Sequence, residues 1–529
     1  MPALALLCLS LVAGVPQQLP ASGTEALRAR VEQIHAAPGT SVGGERLLQP
    51  DAVAHFFEKR GFEAAWRLPS GGEQIAQAIR VIERDGLDPA DYHAGAIDTL
   101  AQRASSSPAA AIDLQILLTD AVAALVDQVR YGKVKPVSLD PRWNVDPRAG
   151  TPPLEEVLAR VAAAPDAAAA IEGLKPGHFI YTGLKRALAD MRAHAKAGWP
   201  TVPAGATLKP GATDARVAAV RRRLLATGDL PADSPPEATL YDDALEAAVK
   251  RFQERHRLNP DGAIGRATLE AMNVSPADRV NQIRVNLDRV RWVIRGLDES
   301  FLLVNLPSFK AYLIRDGKNV WEARTQVGRE ARQTPLFRAD IRYLVFNPDW
   351  TVPPTILAQD VLAPMRAGQN AIARKGLTIL DRQGRAVPPS SIDWANATPR
   401  NFPYTLRQPP GPNNALGRVK FVFPNEHTVF LHDTPSQELF AADQRTFSSG
   451  CIRVEQALDL ARLLLEPQGW TPEQIQATLD AGTSETVFLK EALPILIVYW
   501  TVSVGASGEL RFARDVYQRD QRLLRALDE

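Results

Sequence analysis

The sequence predicts a multidomain α+β chain: a helical N-terminal region, a three-helix unit, and a β-rich domain closing the chain. Three observations carry this. At 529 residues the chain is too long for a single core. A Pro-, Gly- and Thr-rich stretch, Trp199 to Gly211, separates two helical regions. From Phe301 the apolar period shortens from helical to strand-like.

In chain order, Ala3 to Val15 is apolar, uncharged and followed by small residues, as in the core of an export signal, expected over residues 1–23. No later segment reads as apolar for long enough to cross a bilayer. Residues 24–205 are expected to be all-helical. Glu25–Ala36, Leu47–Trp66 (with Val53, Phe56, Phe57 and Phe62), Ile75–Arg84 and Ala109–Gly132 carry the pattern, and Gly86–Tyr92 is loop chemistry. Over residues 211–275, Thr213-Asp214 caps a helix ended by Gly228. A second helix covers Asp242–Arg257, and Asp261–Gly265 turns into a third, Arg266–Met272.

Residues 298–505 read as the β-rich domain, with 506–529 as a C-terminal extension. Strands are expected at Phe301–Leu306, Ala311–Arg315, Asn319–Val327, Ile341–Asn347, Val419–Phe423, Thr428–His432, Thr486–Leu489 and Ile495–Val502, with Asp316-Gly317 as a hairpin turn. A mixed sheet folded on itself, with a helix from Val454 to Glu466 outside it, is the expected architecture. The insertion 351–418 is too long for an ordinary loop and holds a helical piece, Ile356–Met365.

The chemistry concentrates between His432, at the end of an expected strand, and Ser448-Ser449-Gly450-Cys451-Ile452-Arg453. A cysteine on a turn entering a helix would have its thiolate favoured by the helix dipole, and an imidazole would take the proton. Gly450 permits a tight turn, so the amides of Ser449, Gly450 and Cys451 could converge as an oxyanion hole. Cys451 is one of two cysteines, the other being Cys8 in the expected signal. An exported chain that has lost its signal would then hold one unpaired thiol, which supports a nucleophile. A net charge of +1, from 61 basic and 60 acidic residues, argues against nucleic acid as a partner.

His432 and Ser449-Gly450-Cys451-Ile452-Arg453 resemble the signature of L,D-transpeptidases with a YkuD-type catalytic domain, and the large YcbB-like branch most closely. Arg60–Trp66 and Gly86–Tyr92 resemble that branch's scaffold domain. Val249–Gln253 and Asp261–Leu269 resemble the peptidoglycan-binding domain type 1, and Asn401–Tyr404 with Asn414–Phe421 resemble the lid that the YcbB-like branch carries over its catalytic site.

The resemblance implies a periplasmic enzyme with Cys451 as nucleophile and His432 as base. It would move a peptidoglycan tetrapeptide stem to the amine of a second stem with release of D-alanine, using neither metal nor organic cofactor. Stem peptides are the implied partners, peptidoglycan synthases are further ones, and carbapenems are implied acylating inhibitors. Arg453, Arg418 and Lys420 are candidates to hold substrate carboxylates, and Tyr404, Trp350 and Trp500 to line the pocket. Hydrolysis, D-amino-acid exchange or protein attachment on the same thioester is one alternative; a non-catalytic wall-binding scaffold is another.

Overall fold

The computed structural model describes residues 21–37, 39–505 and 507–529. The expected export signal, with Cys8, lies outside the described residues up to its last three, which open the helix Ala21–Ala36.

Four apolar cores organise the chain. The first belongs to the N-terminal helices and is centred on α1, Pro108–Tyr131. Ser107 caps α1 by accepting the Ala110 amide, Pro108 occupies the first turn, and Gly132 at φ 95° ends it. Leu117, Leu118 and Leu125 on this helix have no exposure. The expectation that no later segment could span a bilayer needs correcting: α1 has a mean hydropathy of 1.8 and is long enough. The same apolar window is 78% buried inside the protein, so its composition serves packing among helices. A two-stranded hairpin, Ser41–Val42 with Glu45–Arg46, interrupts the otherwise helical region.

The three-helix unit, Arg216–Ala226, Asp243–Arg255 and Arg266–Asn273, has its own core around Val220, Leu245 and Phe252. The stretch 199–211 is no free linker. Val202 pairs both backbone groups with the Asn273 side chain, and Leu208 bridges to Ile264. Two helices that tie the units together are α2, Phe179–Ala197, and α3, Pro276–Arg291. The second lies between the three-helix unit and the β-rich domain. Its Asp288 accepts the Lys133 and Val134 amides, and its Asn286 bonds Thr501.

The largest core lies within a nine-stranded sheet. Its strands are β1 (Phe301–Asn305), β2 (Lys310–Arg315), β3 (Lys318–Gly328), β4 (Phe337–Phe346), β5 (Val419–Val422), β6 (Leu431–His432), β7 (Thr446–Ser448), β8 (Ile452–Val454) and β9 (Glu485–Val498). They run in the order β7-β3-β8-β6-β5-β4-β9-β1-β2, and β2 also pairs with β3, so the sheet closes on itself. Closure leaves few free edges and fixes register around the ring. β9 is one long bulged strand where two were expected. Helix α4, Ala457–Leu465, packs its Leu460, Ala461 and Leu464 onto this core. The residues after 505 are an integral part of it. Leu510–Phe512 pairs with Val502–Val504, and α5, Asp520–Asp528, buries Leu523 and Leu527.

The insertion between β4 and β5 folds around a fourth core of its own. Three short strands, Trp350–Thr351, Thr378–Leu380 and Thr405–Gln408, back a helical segment from Pro354 to Arg366 that widens into a π-turn at Leu357–Leu362.

Candidate active site

The site is assembled by strand register. Residues directly opposite one another on neighbouring strands project to the same face. One such row runs Lys420 on β5, His432 on β6, Arg453 on β8 and Gln326 on β3. Cys451, two residues before Arg453, stands at the entrance to β8 beside Phe430, whose carbonyl accepts the Ile452 amide. His432, Cys451 and Arg453 all line one cavity of about 1120 Å³. The insertion supplies much of the opposite wall, through residues such as Trp350, Pro353, Gln359 and Asp360.

Two local expectations fail here. β6 is two residues long and not five: Asn425 accepts the His427 and Val429 amides and donates to the Phe423 and Val429 carbonyls, curling the chain until Leu431, and Thr428 takes φ 56°. Cys451 enters a strand, not a helix, since α4 begins only at Ala457. No helix dipole therefore acts on its sulfur. Burial pushes the Cys451 thiol up from its ordinary range, while the Phe430 amide and the charges of Lys420 and Arg453 pull the other way.

His432 is 3% exposed. Its Nδ1 lies 2.5 Å from the Asp433 carbonyl oxygen. A carbonyl can only accept, so Nδ1 carries the proton and Nε2 keeps its lone pair. Burial, with the charges of Arg453 and Lys420, presses the imidazole down to about 3, against the opposing pull of the Asp433 and Leu416 carbonyls. The resting pair is therefore a neutral thiol and a neutral imidazole. The Asp433 carboxylate does not orient the ring; it accepts the Arg418 amide at 2.8 Å and the Gln437 side chain at 3.1 Å.

The turn before Cys451 is held from within. Ser448 Oγ donates to the Cys451 carbonyl at 2.5 Å and accepts the Gly450 amide at 3.1 Å. That amide, one of the three expected oxyanion donors, is thus already committed. Those of Ser449 and Cys451 carry no such bond among the described residues. Gly450 sits at φ 118°, and a Cβ there would meet only the Gln333 carbonyl oxygen at 3.9 Å and the Arg332 one at 4.0 Å, ordinary contacts, so its requirement is conformational. Gly450→Ala is expected to cost about 1–2 kcal/mol through backbone strain, measurable by denaturant titration.

Other candidates sit elsewhere. The Arg418 guanidinium turns away to Asn347 and the Leu479 carbonyl. Tyr404 packs against Phe402 in the insertion's own core, and Trp500 is buried in the main core, whereas Trp350 does reach the cavity wall. Lys420 Nζ lies 3.8 Å over the Phe430 ring, near enough to feel Cys451, but is not on the cavity wall. Arg453 remains, bonded to Gln326 at 3.1 Å, with its buried Nε unpartnered.

Several supporting residues had no sequence signal. Thr334 Oγ1 donates to the Gly450 carbonyl at 2.8 Å and accepts the Gly328 amide at 2.9 Å. Tyr517, from the C-terminal segment, donates to the Gly328 carbonyl at 2.5 Å. Arg332 bonds Ser449 Oγ at 2.8 Å and Asp360 of the insertion's π-turn at 2.6 Å, and also Gln359. One guanidinium thus clasps the insertion to the cysteine turn. Apart from the Thr334–Gly328 bond, these contacts join residues tens to hundreds of positions apart, which no local pattern encodes.

Comparison with known proteins adds independent findings. An L,D-transpeptidase catalytic domain model, YkuD, matches residues 299–484. A scaffold domain model matches residues 51–188, and one described as "Putative peptidoglycan binding domain" matches 213–272. A Haemophilus influenzae protein described as "Putative L,D-transpeptidase" is 36% identical over 222 residues, which is 42% of this chain and 45% of that protein. Among solved structures, an L,D-transpeptidase from Xylanimonas cellulosilytica aligns at 14% identity over 56% of this chain and 99% of its own, with a TM-score of 0.19. One from Stackebrandtia nassauensis aligns at 12% over 56% and 96%, with a TM-score of 0.21. Scores that low carry no argument about this fold.

Proposed function

We propose that this chain, whose β-rich unit is a YkuD-type L,D-transpeptidase catalytic domain and whose three-helix unit is a peptidoglycan-binding domain, forms peptidoglycan cross-links by acyl transfer through Cys451. The observation that carries the reading is the placement of Cys451 and the correctly tautomerised His432 in one cavity roofed by the insertion. On this reading the sulfur attacks the carbonyl before the terminal D-alanine of a tetrapeptide stem. As the C–S bond forms, the thiol proton passes to His432 Nε2, and from there to the departing D-alanine amine as the C–N bond breaks. The diaminopimelate amine of a second stem then attacks the thioester, losing its proton to His432, which returns it to the sulfur.

The Ser449 and Cys451 amides are the proposed oxyanion donors, and Arg453 the proposed anchor for a stem carboxylate. The insertion would keep water from the acyl-enzyme, which otherwise hydrolyses. A protein with this activity works at the wall, and we place it in the periplasm. The test is incubation of purified protein with tetrapeptide stems and weighing of the products by mass spectrometry. Cross-linked dimers and free D-alanine are expected; stems shortened by one residue with no dimers would replace transfer by hydrolysis. Arg332→Met, which unclasps the insertion from the cysteine turn, is expected to lower dimer formation roughly 10- to 100-fold in the same assay.

A further inference from the structure

Away from Cys451, a second cavity of about 250 Å³ opens between α2, the three-helix unit and the hairpin Val502–Val504/Leu510–Phe512. Four guanidinium groups line it, Arg186 at the mouth and Arg223, Arg255 and Arg279 inside. Arg223 is 1% exposed and Arg279 is 5% exposed. Among the described residues only Arg255 has a carboxylate in ion-pair contact, Asp229 at 2.5 Å; Asp229 offsets Arg223 and Asp278 offsets Arg279 only at longer range. Arg223 donates to the Met272 carbonyl and to Thr227, and Arg279 donates to Gln282 and to the Ala271 carbonyl. None of these acceptors carries a negative charge. The Nε of Arg255 is buried and unpartnered.

Aromatic rings supply part of the missing compensation. Arg223 lies 3.9 Å over Trp199 and Arg279 4.4 Å over Phe512. His256, fully buried between Phe252 and Phe512, is held neutral by burial and by the same arginines. At the mouth Arg186 and Asp190, both exposed, offset one another. The interior therefore holds three cations against one carboxylate in ion-pair contact. Burial and mutual repulsion press Arg279 down to about 9, and burial with Arg255 presses Arg223 to about 10. An uncompensated charge taken out of water is strongly destabilising, so this arrangement calls for an anion.

We propose that this cavity is a binding site for a small organic oxyanion, a carboxylate or a phosphate, received by Arg223, Arg255 and Arg279. Its volume falls just below the usual range for drug-sized ligands, which limits the guest to roughly amino-acid size. Because three parts of the chain meet around it, an anion bound there holds the three-helix unit against α2 and the C-terminal hairpin. The site is independent of the reaction at Cys451, and either can fail without the other.

The test is thermal melting and isothermal titration of the full chain with inorganic phosphate and, separately, with N-acetyl-D-alanine, against chloride at constant ionic strength. At least one anion is expected to bind saturably and raise Tm by about 1–2 °C at a tenfold excess over Kd. A response to phosphate alone assigns a phosphoryl source, and one to N-acetyl-D-alanine alone a peptide carboxylate. Arg223→Met and Arg279→Met are expected to raise the anion-free Tm, by removing an unpaired cation, and to abolish the response. Arg222→Met, an exposed neighbour paired with Glu237, is expected to retain it. No saturable heat with either anion in the unmodified chain overturns the site, whether or not the variants fold. So does an unchanged response in both methionine variants.

Discussion

Replacing Cys451 with alanine is expected to lower formation of cross-linked stems by more than about 10⁴-fold, the scale on which enzymes lose activity with their nucleophile. The reason is chemical and not structural. The neighbours of Cys451 are held by Ser448 and Thr334 rather than by sulfur, and alanine fits the same backbone. Tm is expected to stay within a few degrees of the parent, and sedimentation with sacculi to be unchanged. The measurement is mass spectrometry of products beside a sacculus pull-down on one preparation. Dimers forming at near the parent rate would remove Cys451 from the reaction, whatever its surroundings.

How far the sequence alone reached depends on the range of the interactions. Elements governed by local periodicity were legible: α1, the three-helix unit, and strands β1 to β5 fall within a few residues of their expected positions. The two residues that the signature singles out, His432 and Cys451, line one cavity. What failed had a non-local or competing cause. The apolar run before His432 reads as a strand, but Asn425 captures its backbone groups and delays pairing to Leu431. The helical pattern from Val454 belongs to α4 only from Ala457, since β8 must first pair with β3 and β6.

Charge placement was less legible still. Arg418 and Lys420 flank the site in sequence, yet one faces the Leu479 carbonyl and the other lies over Phe430. Arg332 and Tyr517, which brace the cysteine turn from 117 positions upstream and from the C-terminal segment, carry no pattern at all. The C-terminal residues look like an appendage because α5 is short. Its buried Leu523 and Leu527 are legible as core only once the sheet they cover is known.

Replacing His432 with glutamine is expected to cost about 10²- to 10⁴-fold in turnover, the usual contribution of a general base. The pH profile of the parent enzyme discriminates further. For a thiolate-imidazolium pair, kcat/KM would rise and fall through two ionisations, the thiol's depressed below its ordinary range and the imidazole's raised above it. Here the imidazole lies at about 3, so it stays unprotonated down to strongly acid pH, and burial pushes the thiol up. Both groups then begin in the form the reaction needs, a neutral base and a protonated nucleophile, and the proton moves only as sulfur attacks. Between about pH 4 and pH 8, kcat/KM is therefore expected to be flat, since it reports ionisations of the free enzyme. Desolvation is the common cause: the same low-dielectric cavity that keeps His432 uncharged also keeps Cys451 from ionising, so the two shifts stand or fall together. A fall in kcat/KM on the alkaline side below pH 8 that disappears in His432→Gln would report a raised imidazolium, and would replace the neutral resting state with an ion pair.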